Sequence, residues 1–442
     1  MYNAKIKFII ISILIEIIYL SFFLIEPLRK YYGDLGIVSR NNKLFYIITC
    51  LLLINLFLYF LGYKLVKKNV INIKIIIYFF ILFNFTLLFL WPITSNDIFS
   101  YLGRARVLSE HGKNPYLVSY NTFTNDDFYN LIKNKWLSQL TPYGPIFTII
   151  SAGLAYIGKF FNLIINLFIF KIFFIAINIL NLYIIHKTLK NKLSTYLYAF
   201  NPLILFEFAV NGHNDVLTVF FLLLSFYFLL NNNEKIKNYL FSFVFLLLSA
   251  LIKYMTIILL PLYFIIIIFI IKKRKSKILF SLLSLLSTII ILFIFYLPFS
   301  LKTNIFYTPI LNLFSNINNE PSYIIMLPPI ITAIIFSLSI IVKNISYSIS
   351  FLYSRIIFII FYLFSLVRLL FNRNNIIKED IIKYSFYIML IFLLTFFNWV
   401  LPWYYTLLIV LAIYFSKIKN FKYDNIIFII SFISIIYYFV LR

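Results

Sequence analysis

The stretch SNDIFSYLGRARVLSEHGKNPY, residues 95–116, crowds Asp97, Arg104, Arg106, Glu110, His111 and Lys113 directly behind a run of almost pure hydrocarbon. Such groups can take a proton from a substrate hydroxyl and steady a developing anion. Ser95, Asn96 and Asp97 are all good N-cap residues, Gly112 suits the position just past a helix end, and Pro115 bars continuation. Residues 98–111 therefore read as a short helix lying along the membrane interface. On it Asp97, Tyr101, Arg104, Leu108 and His111 recur at spacings of four, three, four and three, so they form one stripe that can face a cavity. Acid, base and guanidinium on one stripe beside a membrane segment read as a functional site. The competing reading has Asp97 merely capping the helix while Arg104 and Arg106 meet lipid headgroups.

Four further places carry groups that could join it. TPYGP (141–145) is a proline-flanked turn whose Tyr143 could stack on a sugar ring or sit at the lipid interface. Between the two stretches, Asp126, Asp127, Lys133 and Lys135 read as solvated. NPLILFEFAVNGHND (201–215) holds His213 and Asp215, a possible acid–base pair, although capping of the next helix is the safer role for Asp215. Glu207 lies inside its apolar run, where a charge costs about 2.5–3.5 kcal/mol, so it faces a polar interior or is protonated. Lys253 interrupts two apolar half-segments and either holds a phosphate or snorkels to the interface. In NWVLPWYYTLL (398–408), Trp403 and Tyr404 either line a groove or belong to an aromatic belt.

The elements that must position these residues are membrane helices. The chain is 63% hydrophobic and 12% charged, against roughly a quarter charged in a soluble domain. Apolar runs of about 20 residues, enough to cross ~30 Å of hydrocarbon, recur throughout and lack period-2 alternation. The expected fold is all-α: a polytopic transmembrane bundle of about 11–13 spans, one integral-membrane domain over residues 1–442. Candidate spans fall near 7–25, 44–62, 71–92, 161–185, 195–210, 215–231, 239–252, 254–271, 278–297, 323–342, 347–370, 384–398, 402–416 and 425–441, with 145–158 interfacial or re-entrant. The first run contains Glu16 and lacks a small-residue cleavage site, which predicts a retained helix rather than a signal peptide.

The net charge of +25 does not imply nucleic acid. The lysines gather in short loops, 64–74, 186–192, 272–277 and 417–422, as expected of cytoplasmic loops. That pattern puts loop 93–142, with its interfacial helix, outside. The lone Cys50 excludes an intrachain disulfide and a cysteine metal cluster. The sequence has no Walker A, Rossmann, HExxH or GxSxG pattern, and its three histidines are not at metal-ligand spacing. No cofactor and no metal site are expected.

In chain order, NDIFSYLGRARVLSEHGKNPY, TPYGP, NPLILFEFAVNGHND, ALIKY and PWYYTL together resemble the integral-membrane glycosyltransferases of the C superfamily. The resemblance is strongest to the bacterial polyprenol-phosphate-mannose-dependent mannosyltransferases. It implies a hexose, mannose by analogy, moved from a polyprenyl-phosphate donor to a glycan or glycolipid acceptor of the cell envelope. Transfer would invert the anomeric centre at a site facing outward from a bacterial cytoplasmic membrane. Asp97 matches the family's acidic position and would be the general base. Arg104, Arg106 and Lys253 would meet the donor phosphate. Tyr101, His111, Tyr143, His213, Asp215, Trp403 and Tyr404 would bind substrate. Asn96 stands before Asp97 where some enzymes of the superfamily carry a second acid, which argues against an obligatory metal ion. The alternative is a lipid-linked-sugar flippase or other multi-span transporter, which should place its key charges at mid-membrane between related halves; here they sit at membrane edges. A polysaccharide polymerase would share the lipid-phosphate chemistry but rely on arginines of a large outer loop.

Overall fold

The computed structural model describes residues 2–25, 42–132, 135–230, 235–300, 331, 334, 347–396 and 400–440. Helices dominate, and among the described residues there is no strand. In chain order they are α1 (Tyr2–Ile25), α2 (Asn42–Lys67), α3 (Ile73–Leu88), α4 (Asp97–Ser109), α5 (Pro145–Ile157), α6 (Leu163–Leu189), α7 (Lys192–Ala199) and α8 (Pro202–Leu205). Then follow α9 (Asp215–Leu230), α10 (Ile236–Ala250), α11 (Leu260–Ile270), α12 (Arg274–Ser300), α13 (Tyr347–Phe371), α14 (Lys378–Thr395), α15 (Tyr404–Ile418) and α16 (Asn425–Val440). Of the expected span at 323–342 only residues 331 and 334 are described, and the rest lies outside the described residues.

By length and composition, α1, α2, α6, α12 and α13 can each cross a membrane, and α7 with the segment after it makes a sixth if counted as one bent span. Of the other apolar helices, α14 has 18 residues but opens on Lys378, Glu379 and Asp380 and holds Lys383. The rest run to 17 residues or fewer, which at ~1.5 Å per residue falls short of a ~30 Å core. Among the described residues, helix length alone therefore supports fewer crossings than the expected number, about 11–13. α5, with 13 residues, fits the interfacial or re-entrant role expected of 145–158.

Asparagines start many of these helices. Asn72, Asn162 and Asn191 each accept a hydrogen bond from a backbone N–H of the first turn, which satisfies one of the donors a helix start leaves unpaired. The same chemistry breaks the span expected over 195–210. Asn201 accepts from the N–H groups of Leu203 and Ile204 at 3.1 and 3.2 Å, and Pro202 cannot continue the helix before it. α7 and the segment Pro202–Val210 are consequently bent by 51°. A single π-turn, Phe206–Val210, follows α8, a distortion often found at functional sites.

α4 departs from expectation in its surroundings. Every residue from Ile98 to Val107 is buried, so it does not lie along an interface with one face open. It packs on α5 and α6 and is covered by the short turns Tyr120–Thr122, Tyr129–Ile132 and Lys135–Ser138. Gly103 permits this closeness, because a Cβ there would sit 2.6 Å from Leu137 and 3.1 Å from Tyr120. The bundle continues with α9 against α6 and α10, and with α15 against α14, α16 and α9.

Candidate active site

Asp97 opens α4. Asn96 occupies the N-cap position but makes no side-chain capping bond. The Asp97 side chain is hydrogen-bonded to Ser95 and 23% exposed, and its Oδ2 lies 3.5 Å from Nδ1 of His213. Burial pushes its carboxyl up to about 6, assisted by the Asp215 charge and restrained by Lys253 and Arg104. A carboxylate poised there can accept a proton near neutral pH.

One and two turns along the same face stand Tyr101 and Arg104. The Tyr101 hydroxyl donates to Oδ1 of Asn214 at 3.3 Å and lies 3.5 Å from His213 Nδ1. Arg104 is 6% exposed; it donates through Nη2 to the Trp136 carbonyl at 2.6 Å and sits over the Tyr143 ring, 5.7 Å from its centroid. Its Nε is buried without a hydrogen-bond partner, a charged donor still available to an anion. Tyr143 meets Tyr101 edge-on at 5.2 Å.

Lys253 comes from the break before α11, where a 3-10 turn, Tyr254–Leu259, begins. Its ammonium donates to both Asp215 oxygens at 2.8 and 3.0 Å and lies 4.2 Å from the centre of the Tyr404 ring. An ammonium has three donors and Asp215 takes two, leaving one for a ligand. Asp215, first residue of α9, is thus engaged with Lys253 rather than reduced to a cap. TPYGP is stitched to this segment by Gly144 N–H to Ile252 O at 3.0 Å and Ile146 N–H to Leu251 O at 3.2 Å. A Cβ on Gly144 would lie 2.0 Å from the Leu251 carbonyl oxygen, so only glycine fits this approach.

His213 is fully buried, stacked on Trp403 with ring centroids 4.0 Å apart. On its far side Nε2 lies 3.1 Å from Oε2 of Glu207, close but not aligned as a hydrogen bond. Glu207 accepts from Asn211 Nδ2 at 2.8 Å, and the same amide group donates to Thr94 Oγ1 at 2.7 Å. Asn211 Oδ1 in turn accepts from the N–H groups of Ile93 and Thr94, both at 3.2 Å. One side chain therefore ties the approach to Asp97 to the π-turn that carries Glu207.

Two candidates go elsewhere. Arg106 Nε is 3.0 Å from both oxygens of Asp126, and its guanidinium covers Phe128 at 4.4 Å. His111 Nε2 lies 2.8 Å from Asp126 Oδ2, the ring stacked on Phe123 at 3.9 Å. Neither is among the contacts of Asp97. The geometry explains both: two residues along a helix is about 200° of rotation, which turns Arg106 away from Arg104. α4 also stops at Ser109, so the stripe ends before His111. Asp126, expected to be solvated, is buried. Burial alone would raise its carboxyl, but hydrogen bonds from Phe128 N–H, Tyr120 and Arg106 outweigh that and hold it below the usual range.

The assembled group is thus Asp97, Tyr101, Arg104, Tyr143, His213, Asp215, Lys253, Trp403 and Tyr404, drawn from five separate stretches of chain. A family model described as alpha-(1->6)-mannopyranosyltransferase, N-terminal domain (the MptA/B family), matches residues 27–269, more than half of the chain. The chain belongs to that family. No curated protein and no solved structure matches it. It is a membrane mannosyltransferase, with a sugar donor, an acceptor and the lipid bilayer as its partners.

In this mannosyltransferase the site also holds residues that the motif stripe did not single out. Asn211 reads from sequence as a turn residue and Asn214 as a helix cap, and only their tertiary partners reveal more. Glu207 gave a signal, a carboxylate inside an apolar run, yet its partner His213 is six positions on and is reached only through the π-turn and the positive-φ Gly212 (φ +67).

Proposed function

We propose that this mannosyltransferase takes mannose from a polyprenyl-phosphate donor and transfers it, with inversion, to a hydroxyl of a glycan or glycolipid on the extracytoplasmic face. The observation that carries this reading is Asp97: partly open, 3.5 Å from His213, shifted up to about 6, and within the field of the two cations Lys253 and Arg104. Asp97 takes the proton of the acceptor hydroxyl as its oxygen attacks C1. The C1–O bond to phosphate breaks on the opposite face, and the leaving phosphate keeps the electron pair. Arg104, through its unpaired Nε, and Lys253, through its remaining N–H, stabilise that charge. Tyr143, Trp403 and Tyr404 offer ring faces for the sugar and the lipid. The family's α-(1→6) description fits a 6-hydroxyl acceptor, and inversion to an α product calls for a β-linked donor.

Reconstituted enzyme offered polyprenyl-phosphate mannose and nucleotide-activated mannose in parallel tests the donor class. Mannose should pass to an α-(1→6) mannooligosaccharide from the lipid donor only. Transfer from the nucleotide sugar alone would overturn the proposal.

A further inference from the structure

His213 lies between two carboxylates: Asp97 Oδ2 is 3.5 Å from Nδ1 and Glu207 Oε2 is 3.1 Å from Nε2. The ring is held in plane by Trp403, 4.0 Å away at 17°. Both His213 and Glu207 are fully buried, and nothing in the phosphate-binding scheme requires a carboxylate at position 207. A buried carboxylate kept at a cost of several kcal/mol calls for a reason.

Oε2 of Glu207 already accepts a hydrogen bond from Asn211 at 2.8 Å. An acceptor oxygen facing Nε2 requires that Nε2 carry the ring hydrogen, and this leaves Nδ1 as a lone pair. Nδ1 faces Asp97 and the Tyr101 hydroxyl, and that hydroxyl also donates to Asn214. A lone pair opposite a carboxylate is unfavourable until the carboxylate gains a proton, and then it accepts that proton's hydrogen bond. The arrangement raises the affinity of Asp97 for a proton.

We propose that Glu207 is a positioning residue for mannosyl transfer, acting on Asp97 through His213 by fixing the imidazole tautomer with its acceptor nitrogen toward the general base. The proposal rests on Asp97 being that base. As the acceptor O–H bond breaks and its oxygen bonds to C1, the proton moves to Asp97 Oδ2 and is shared with His213 Nδ1, while phosphate departs with the C1–O pair. The 3.1 Å contact between Nε2 and Oε2 straightens into a hydrogen bond as substrate closes the site, a tightening common when catalytic hydrogen bonds are compared before and after binding. The charged and titratable groups around the device are Asp97, Tyr101 and Arg104 from α4, Tyr143 from its turn, Asp215 from the start of α9 and Lys253 before α11. None of these groups is substituted in the Glu207 variants, and the His213→Gln background separates an effect through the imidazole from one through Asn211, which also holds Thr94.

The test is a double-mutant cycle on transfer from polyprenyl-phosphate mannose, with kcat, donor KM and pH profile recorded for each variant. Glu207→Met removes the acceptor at Nε2. It should lower kcat about 10–100-fold, part of the ~10²–10⁴ that a general base supplies, with donor KM little changed. The acid limb of kcat/KM should move to lower pH, because an Nδ1–H tautomer donates to Asp97 and weakens it as a base. In a His213→Gln background the same substitution should cost no more than about threefold, since its route to Asp97 is gone. Equal losses in both backgrounds, or an altered KM with unchanged kcat, would overturn the proposal. Should Glu207→Met not survive extraction, Glu207→Leu, which likewise offers Nε2 no acceptor, decides on the pH profile alone, and an unmoved acid limb counts against the proposal. Asp97→Asn run alongside separates the two ideas: if that variant stays active the base itself is wrong, whereas an inactive Asp97→Asn with equal Glu207 losses removes only the role of Glu207.

Discussion

At the scale of single residues, the chemistry depends on Asp97 being charged when the acceptor arrives. An ordinary aspartate loses its proton near pH ~4; burial and the Asp215 charge move this one up to about 6. A base works only when deprotonated, so kcat/KM should fall as pH drops through about 6, approaching tenfold per unit below it. Initial rates between pH 5 and pH 8 on solubilised enzyme check this, and a flat profile down to ~4.5 would show that Asp97 is not titrating in the rate equation. Arg104 and Arg106 show how much one residue's place could have been read in advance. The spacing of four then three placed Asp97, Tyr101 and Arg104 on one face, and the structure brings them together. The same helical arithmetic puts Arg106 on the other side of α4, facing Asp126. His111 needed the helix end, and helix ends are where sequence patterns are weakest.

At the scale of elements, the site depends on breaks rather than on intact helices. The Asn201–Pro202 break bends the span, the π-turn at Phe206–Val210 sets Glu207 against His213, and the turn at Lys253 brings its ammonium to Asp215. Sequence patterns registered each of these segments as apolar runs with polar interruptions, but pairings across chain distance, such as Lys253 with Asp215, arise only from packing. The same holds for the meeting of Gly144 with Leu251, which no local pattern signals. Gly144→Ala tests that contact. Its new Cβ would lie 2.0 Å from a backbone oxygen, forcing TPYGP away from the segment that ends in Lys253. Loss of two backbone hydrogen bonds costs about 1–3 kcal/mol in stability, while a shift of about 1 Å in Lys253 can cost ~100-fold in rate. Thermal unfolding and kcat/KM measured together should therefore show a small fall in the first and a large fall in the second.

At the scale of the whole molecule, composition and the recurrence of apolar runs were enough to read an all-α membrane protein, and the structure has that architecture. Crossing number was less legible. A run of 16 residues such as α9 looks like a span to a hydropathy window, yet as a helix it is about 24 Å long, and bent pairs such as α7 with its successor merge two runs into one. The burial of α4 was hidden for a related reason: its own residues are amphipathic, and the turns covering it at 120–122, 129–132 and 135–138 carry no strong pattern. Together these elements bring Asp97, Arg104, the Lys253–Asp215 pair and a wall of aromatic rings into one group, and the account stands or falls on the Asp97 carboxylate. The decisive measurement is mannosyl transfer from polyprenyl-phosphate mannose in liposomes, comparing wild type with Asp97→Asn. The substitution keeps the shape of the side chain and removes its basicity, so transfer should fall about 10²–10⁴-fold with donor binding retained. Transfer at the wild-type rate by Asp97→Asn would contradict the account.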